Sequence, residues 1–305
     1  MFFLFKKKRI GAAFLKEATD VHCHILPGVD DGMQDLSESL ELLAVEATAG
    51  VKRIYLTPHS MGAEGAAVDS LSYRDSHSHK RHDKTEVSAE KAVADPDNKT
   101  LVSSVDIIAA YQKEYTTLIG QSKYNSEPKG GFSNEHLKEQ FALFKKFYDG
   151  NIELHLAAEY MMNKELLNKI NNKDLLTYSD SVHVLVETSY IAPPIEMDEI
   201  LYNLSLNGYK PIIAHPERYR YMSEGDYKKL KDRGYELQLN YLALTGCYGK
   251  EVYERAIHLL DKKMYDFAGS DFHRISTFYH RVGSLKLNTD RTDKLLALFS
   301  NNNNI

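Results

Sequence analysis

The chain has 305 residues, of which 43% are hydrophobic, so it is long enough for one large domain or two ordinary ones with a buried core. Its 38 basic and 43 acidic residues give a net charge of −5, which argues against the overall positive field of many nucleic-acid-binding proteins. Two cysteines are too few for a disulfide framework and fit a reducing compartment.

The N-terminal segment, MFFLFKKKRIG, places a few apolar residues before its charges, which is the wrong order and length for a secretory signal. We expect a frayed terminus, with contact to an anionic membrane surface as the alternative. No stretch has the roughly 20 consecutive apolar residues of a spanning helix. The sequence therefore predicts a cytoplasmic protein with at most peripheral membrane contact.

Short apolar runs alternate along the chain with segments of helical periodicity. The first run, TDVHCH, precedes leucines and alanines at helical spacing between Leu36 and Ala47, and Gly50 stands where a helix-terminating glycine belongs. Further strands are predicted in VKRIYLTPH, NIELHLAAEY, HVLVETSY, KPIIAHPER, YELQLNY and MYDFAGSDFH. Helices are predicted in EMDEILYNLSLNG, EGDYKKLKDRG and KEVYERAIHLLDKK. Seven strands alternating with helices predict a parallel α/β fold, either an open sheet or a barrel.

Residues able to bind metal recur at or near the C-terminal ends of the predicted strands. His22 and His24 are two apart on the first strand, so their side chains point the same way. The others are His59, Glu159, Glu187, His215, Asp271 and His273. For any one of these residues alone, the simpler interpretation is a strand-end cap or a histidine whose hydrogen bonds are satisfied. A βα barrel, however, draws ligands from several strands at that rim, so the set predicts a metal site.

Six motifs, in order, resemble those of the PHP-superfamily tyrosine phosphatases of bacterial capsule and exopolysaccharide systems. They are DVHCHILPGVDDG, TPH, AAEY, VLVETS, IAHPER and GSDFH, and the similarity covers residues 18–60 and 132–280. The resemblance implies a distorted (β/α)7 PHP-type barrel with a three-metal, usually manganese-dependent, site. Carried over by motif, the ligands are His22, His24, Asp31, His59, Glu159, Glu187, His215, Asp271 and His273. In VDDG the family pattern uses Asp31, and Asp30 is expected to support the loop.

Five imidazoles and four carboxylates suit manganese, iron or zinc better than calcium or magnesium alone. Nine ligands serve two or three divalent ions. Glu159 or Glu187 can bridge two ions, because the two oxygens of a carboxylate permit a separation of about 4 Å. This geometry favours hydrolysis of a phosphate ester.

Arg218, three residues after His215, is predicted to bind phosphate, because a guanidinium holds phosphate oxygens in a planar fork. The alternative is a surface arginine paired with Glu217. Relatives often carry another arginine a few residues beyond the Asp-x-His motif. Here only the adjacent Arg274 is available, which leaves a contact with phosphate open. Asn240, at the end of a predicted strand, is interpreted as a cap or turn residue.

A cysteine-dependent tyrosine phosphatase needs arginine six positions after its thiolate, and neither Cys23 nor Cys247 has one. Both are interpreted as small packed side chains. The segment HSHKRH, residues 77–82, repeats a His-x-His spacing without apolar flanks and predicts a solvated loop.

The chain is predicted to be a single domain, residues 1–305, with an insertion at 62–131 where relatives have a short connection. The insertion is rich in Ser, Asp, Lys, Gly and Ala, contains the plausibly helical LVSSVDIIAAYQKEYTTLIG, and is expected to be mobile. Because it follows the second strand, it should emerge on the catalytic face.

The sequence predicts a metal-dependent phosphotyrosine-protein phosphatase. By the resemblance, its substrate is the phosphorylated tyrosine-rich tail of a bacterial tyrosine kinase that controls polysaccharide export, and nucleic acid is no partner. Two alternatives remain open. One is a PHP phosphatase for a small monoester such as histidinol phosphate, and the other is a catalytically silent binding module with the same barrel.

Overall fold

A computed structural model describes residues 8–9, 11–60, 110, 113–114, 132–179 and 181–305. Nearly all of the predicted insertion, including residues 77–82, lies outside this part of the chain. The bounded α-helices are α1 (Leu36–Ala49), α2 (Asn134–Phe147), α3 (Lys164–Asn171), α4 (Met197–Leu206), α5 (Glu224–Asp232), α6 (Lys250–Asp261), α7 (Ile275–Arg281) and α8 (Thr289–Asn301). The strands are β1 (Lys8–Arg9), β2 (Thr19–Cys23), β3 (Arg53–Leu56), β4 (Glu153–Leu156), β5 (Glu159–Met161), β6 (His183–Glu187), β7 (Lys210–Ala214), β8 (Glu236–Asn240), β9 (Phe267–Gly269) and β10 (Lys286–Leu287).

Local sequence signals set several helix ends. α1 begins after Asp35, whose carboxylate accepts a hydrogen bond from the backbone N–H of Glu38, and it ends at Gly50 with φ 97°. The predicted terminating glycine is confirmed. α2 begins after Ser133, whose hydroxyl accepts from the backbone N–H of His136.

The strands form two parallel sheets, ordered β2-β3-β4 and β5-β6-β7-β8-β9. Isolated parallel bridges join them at both margins, between Cys23 and Phe272 and between His59 and Glu159. β1 and β10 form a separate antiparallel pair. The parallel α/β fold predicted from the sequence is therefore confirmed.

The predicted strand NIELHLAAEY is divided in the structure. β4 pairs with β3 and β5 pairs with β6, so the chain passes from one sheet to the other at Ala157 and Ala158. The single-strand prediction was wrong here, because hydrophobic alternation along a segment does not reveal a change of partner strand. The same junction delivers Glu159 to the end of both sheets.

A small apolar cluster draws residues from both sheets and from the C-terminal residues. Its members are Val21, Tyr55, Ala157, Tyr178, Leu185, Ile212, Ala214, Phe267 and Ile305. The large core packs the helices against the sheets. Asn302, which is fully buried, donates to the carbonyls of Thr19 and Ala268 and accepts from the backbone N–H of Ala268. The last residues of the sequence are thus part of the folded core.

Among the described residues, every helix falls short of the length and apolar content needed to cross a bilayer.

Candidate metal centre

All nine residues carried over by motif lie together, in or near the segments that follow the C-terminal ends of β2, β3, β4, β6, β7 and β9. They are His22, His24, Asp31, His59, Glu159, Glu187, His215, Asp271 and His273, and each is linked to another by a contact of 3.7 Å or less. Seven are buried, and Asp31 and His273 are partly exposed. The opening of the site is therefore on the side of these two residues.

One group of potential ligands comprises His22, His24, Glu159 and Asp271. The Nε2 atoms of the two histidines are 3.1 Å apart, and both lie within 3.4 Å of Glu159 Oε2 and Asp271 Oδ1. One ligand atom from each residue lies within 4.8 Å of all the others. This spacing suits a single ion with mixed nitrogen and oxygen ligands.

Glu159 also belongs to a second group, with His59 and Glu187. Its Oε1 atom lies 3.1 Å from Nε2 of His215, and Glu187 Oε2 lies 3.7 Å from the same nitrogen. The two oxygens of Glu159 thus face different histidines. Of the two glutamates considered as bridges, Glu159 has the contacts expected of a bridging carboxylate.

A third group comprises His24, Asp31, His59 and His273. Oδ1 of Asp31 lies 3.5 Å from His59 Nε2 and 3.4 Å from His273 Nε2. The Asp31 side chain is 35% exposed, the most open in the cluster. A substrate would therefore approach the centre beside this group.

Hydrogen bonds behind the histidines fix which ring nitrogens face the cluster. Nδ1 of His24 donates to Asp30 Oδ2 at 2.8 Å, and Nδ1 of His22 is 2.9 Å from Gln238 Oε1, which can only accept. The Nε2 atoms of both rings therefore point into the cluster and toward carboxylates. Such a convergence of ring nitrogens and carboxylate oxygens fits a bound cation.

Asp30 holds the loop as well as the ring, as predicted. Its Oδ1 accepts from the backbone N–H of Gly32 at 2.8 Å, and its Oδ2 also accepts from the backbone N–H of His59. A Cβ atom on Gly32 would lie 2.1 Å from the carbonyl oxygen of His24, so a larger residue cannot stand there without moving the loop. Close packing against His24 therefore requires glycine at position 32.

Several buried groups of the cluster have shifted pKa values or lack a hydrogen-bond partner. Burial raises the pKa of Glu187, and repulsion from Glu159 and Asp271 adds to this shift. Burial also works against ionised Glu159, but attraction to His22 and hydrogen bonds from neighbouring histidines outweigh it and lower its pKa. Glu187 Oε1 and His215 Nδ1 are buried without a hydrogen-bond partner in the described structure. Divalent ions would compensate these charges and unsatisfied atoms.

Two cluster residues have left-handed backbone conformations, His215 with φ 33° and Asp271 with φ 55°. This region disfavours residues with a Cβ atom and recurs at functional sites. Each of these residues follows a strand closely, β7 or β9. The unusual φ angles turn the chain where the strands end and the ligand groups begin.

Arg218 is buried beside the cluster. Its Nη1 donates to Asp271 Oδ2 at 2.8 Å, and its guanidinium carbon lies 4.3 Å and 4.6 Å from the ring centroids of Tyr190 and Tyr248. Glu217 accepts hydrogen bonds from the backbone of Asn240 and from the Tyr265 hydroxyl. The surface ion pair between Arg218 and Glu217 was therefore the wrong alternative.

Arg274 contacts the ligand loops themselves. Its Nη1 donates to the carbonyl oxygens of Asp31 and His273 at 2.9 Å and 2.7 Å, and also to that of Gly32. It therefore ties the loop that carries Asp31 to the loop that carries His273.

Asn240 acts as the predicted cap and has a second contact at the site. Its Oδ1 accepts from the backbone N–H of Leu242, while its Nδ2 donates to Asp271 Oδ2 at 3.0 Å. Asp271 Oδ2 is thus held by Arg218 and Asn240, and Oδ1 faces the histidines. The amide helps to aim the carboxylate.

The cysteines are free, with Cys23 buried and Cys247 partly buried. Burial raises the pKa of both thiols, which disfavours the thiolate that a nucleophile requires. The three groups of potential metal ligands found among the described residues contain eight of the nine proposed ligands and no other histidine. His215 joins the cluster through its contacts with Glu159 and Glu187.

Three residues beside the site were missed by the sequence analysis: Gln238, Tyr190 and Tyr248. Gln238 carried a signal, because an amide between the leucines of the predicted strand YELQLNY is unusual for a buried strand. Both tyrosines lie in loops far from Arg218 in sequence, and no local pattern relates them to it.

Comparisons with known proteins agree with this arrangement. The family model "Capsular polysaccharide synthesis, CpsB/CapC" matches residues 18–93 and 92–294. Tyrosine-protein phosphatase YwqE of Bacillus subtilis (strain 168) is 25% identical over 262 residues, covering 85% of this chain and 78% of that protein. Tyrosine-protein phosphatase CpsB of Streptococcus pneumoniae is 23% identical over 271 residues, covering 85% and 84%.

A solved structure shares the fold. It is described as belonging to crystal structures of YwqE from Bacillus subtilis and CpsB from Streptococcus pneumoniae, unique metal-dependent tyrosine phosphatases. The TM-score is 0.55 at 22% identity, over 91% of this chain and 84% of that chain. The family match and the named relatives confirm the resemblance inferred from the six sequence motifs, and the solved structure adds the shared fold.

Proposed function

The chain belongs to the CpsB/CapC family of capsular polysaccharide synthesis, and on that basis we propose that it is a metal-dependent phosphotyrosine-protein phosphatase. The observation that carries this proposal is the convergence of nine histidine and carboxylate side chains, with Glu159 in contact with four of the five histidines. The named tyrosine phosphatases among its relatives support the reaction.

The nine clustered residues are proposed as ligands of two or three divalent ions, with manganese as the physiological metal. Bound ions would activate a water and neutralise phosphoryl oxygens, the chemistry that phosphate ester hydrolysis needs. Glu159 would be a shared ligand of two of the ions. Asp30 and Gln238 would keep the rings of His24 and His22 in the ligating tautomer.

Arg218 is proposed as the protein's own phosphate-binding group. Its guanidinium lies beside Asp271 and so borders the metal cluster directly. A planar guanidinium can bind two phosphate oxygens at once and stabilise their charge. The phenolate of tyrosine is a fairly good leaving group, because the pKa of the tyrosine hydroxyl is about 10.

We propose that the two sheets close into the distorted (β/α)7 PHP-type barrel. The bridges Cys23–Phe272 and His59–Glu159 join their margins, and the small apolar cluster lies where the interior of such a barrel would be. Residues 1–305 would form one domain. The insertion at 62–131 leaves from the end of β3, beside the ligand His59, which supports its placement on the catalytic face.

The proposed substrate is the phosphorylated tyrosine-rich tail of a bacterial tyrosine kinase that controls polysaccharide export, met in the cytoplasm. Apolar side chains at the rim support a polypeptide substrate. Ile191 and Ile195, 66% and 97% exposed, follow Tyr190 in the loop after β6. Residues on either side of a phosphotyrosine could pack there, whereas a small monoester would use none of this surface.

Phosphate release by metal-stripped protein, after addition of manganese, zinc or magnesium, tests the proposal. Three substrates are compared: a phosphotyrosine peptide, the same peptide with phosphoserine, and histidinol phosphate. We expect turnover of the phosphotyrosine peptide only after a metal is restored, with manganese giving the highest rate. Preference for histidinol phosphate would favour the small-molecule phosphatase. Failure of metal-loaded protein on every ester would favour the silent binding module.

A further inference from the structure

The guanidinium of Arg218 lies against two aromatic rings from different parts of the fold. Tyr190 belongs to the loop after β6, and Tyr248 follows the 3-10 helix Tyr241–Thr245. The distances from the guanidinium carbon to the ring centroids are 4.3 Å and 4.6 Å, well within the range of a cation–π contact. Both tyrosines are partly buried, and the Arg218 side chain between them is only 8% exposed.

Hydrogen bonds connect one of these rings back to the arginine through the metal cluster. The Asn240 amide Nδ2 donates to the Tyr248 hydroxyl and to Asp271 Oδ2, each at 3.0 Å. Asp271 Oδ2 also accepts from Arg218 Nη1 at 2.8 Å. Arg218, Asp271, Asn240 and Tyr248 therefore form a closed ring of contacts.

The other ring is fixed by neighbours on the histidine side of the site. The Tyr190 ring lies 5.9 Å from the His215 ring and 6.2 Å from the Tyr219 ring, where it is stacked. Its carbonyl accepts from the backbone N–H of Arg220 at 2.9 Å. Tyr190 is thus held to the turn that carries both His215 and Arg218.

From this geometry we propose that Tyr190 and Tyr248 are positioning residues, which hold the plane of the Arg218 guanidinium in the orientation that binds the phosphoryl group. The inference rests on the proposed function, because it takes Arg218 as the phosphate-binding residue. An arginine side chain has many rotamers, and a planar fork binds two phosphate oxygens only in one orientation. Aromatic contacts restrict that freedom before the substrate arrives.

Calorimetry of inorganic phosphate binding to the metal-loaded protein tests this positioning role of Tyr190 and Tyr248 without relying on turnover. The variants are Tyr190→Leu and Tyr248→Leu, and the matched control is Tyr202→Leu, an exposed tyrosine on α4. We expect each positioning variant to weaken phosphate binding roughly three- to thirtyfold with unchanged metal content, as expected for loss of a cation–π contact. The control should bind as the unaltered protein does.

Tyr248→Phe separates the ring from its hydroxyl. It keeps the aromatic contact with Arg218 and removes only the hydrogen bond with Asn240. We expect it to retain most of the phosphate affinity that Tyr248→Leu loses. Equal losses in the two variants would contradict a role for the ring.

A double-mutant cycle with Arg218→Ala tests whether the rings act through the arginine. In the Arg218→Ala background, Tyr190→Leu and Tyr248→Leu should cause no further loss of phosphate binding. Added guanidinium ion should partly restore binding to Arg218→Ala, and less so when either ring is also removed. Equal losses with and without Arg218 would overturn the inference, as would phosphate affinities in both leucine variants that match the unaltered protein. Absence of turnover on all esters, with phosphate binding still dependent on the rings, would overturn only the proposed function.

Discussion

The hydroxyl of Ser60 donates a buried 2.7 Å hydrogen bond to Oδ1 of Asn134, which fastens together the two ends of the insertion. The backbone N–H of Ser60 also donates to the carbonyl of Glu159, so this junction lies against the ligand cluster. The described residues that flank the insertion are thus joined to each other beside the site.

Replacing residues 62–131 by a short Gly/Ser linker should therefore preserve the fold and the hydrolysis of a small aryl phosphate. None of the nine proposed ligands lies in the deleted segment, and the Ser60–Asn134 bond is retained. Turnover of a tyrosine-phosphorylated protein tail should change, falling if the insertion guides the tail and rising if it screens the site.

Metal content and the thermal transition of the deletion variant serve as folding controls. Equal rates for both substrates before and after deletion would contradict a role in substrate access. Loss of activity on the small ester, in folded and metal-loaded protein, would instead place catalytic groups in the insertion, with His77, His79 and His82 the first residues to test.

Asp30→Asn should lower metal affinity roughly tenfold to a hundredfold, as is typical when the carboxylate behind a ligating histidine is changed. The substitution removes the charge that holds His24 Nδ1 and weakens the support of the loop. Metal titration of stripped protein measures the effect, and Asp293→Asn on the exposed face of α8 is the matched control. Identical titrations for both variants would contradict the assigned role of Asp30.

Arg218→Lys should lower kcat/KM for phosphotyrosine substrates by an amount equivalent to about 1–3 kcal/mol, because an ammonium group cannot form the planar fork. The positive charge beside Asp271 is kept, so the metals should stay bound. Steady-state kinetics with metal analysis give the comparison, with the exposed Arg220→Lys as control. Unchanged kinetics on every phosphotyrosine substrate would remove Arg218 from phosphate binding.

Asn302→Ala should lower the free energy of unfolding by about 2–4 kcal/mol, because it leaves buried backbone groups of Thr19 and Ala268 without partners. Urea unfolding measures the change. Asn304→Ala, two positions along the same asparagine run but exposed, should have little effect. Similar stabilities for both variants would mean that the buried bonds contribute little.

The sequence was most informative where residues able to bind metal stand at the ends of predicted strands. Residues such as His215 and Glu187 could be located because parallel strands place their C-terminal ends together, so strand ends distant in sequence become neighbours. The order of alternating strands and helices likewise predicted the parallel α/β fold. Helix α1 was predictable because its apolar residues recur at helical spacing up to Gly50, which ends the helix.

What escaped prediction depends on contacts between distant segments. The pairing of Arg218 with Tyr190 and Tyr248 requires three loops to be placed relative to one another. The NNNNI segment looks polar and unstructured, yet Asn302 is fully buried because it meets strand-end backbone groups. Helix α3 is short and follows β5 closely, so its periodicity was too brief to recognise.

The central claim is that Glu159 is the shared ligand of a metal centre on which phosphotyrosine hydrolysis depends. The most direct test is the metal content of Glu159→Gln, measured by mass spectrometry alongside its turnover of a phosphotyrosine peptide. The substitution removes one charge with little change of shape, at a side chain that contacts His22, His24, His59 and His215. We predict that metal content and turnover fall together in folded protein. Normal metal occupancy in this variant would contradict the assignment of Glu159 as the shared ligand.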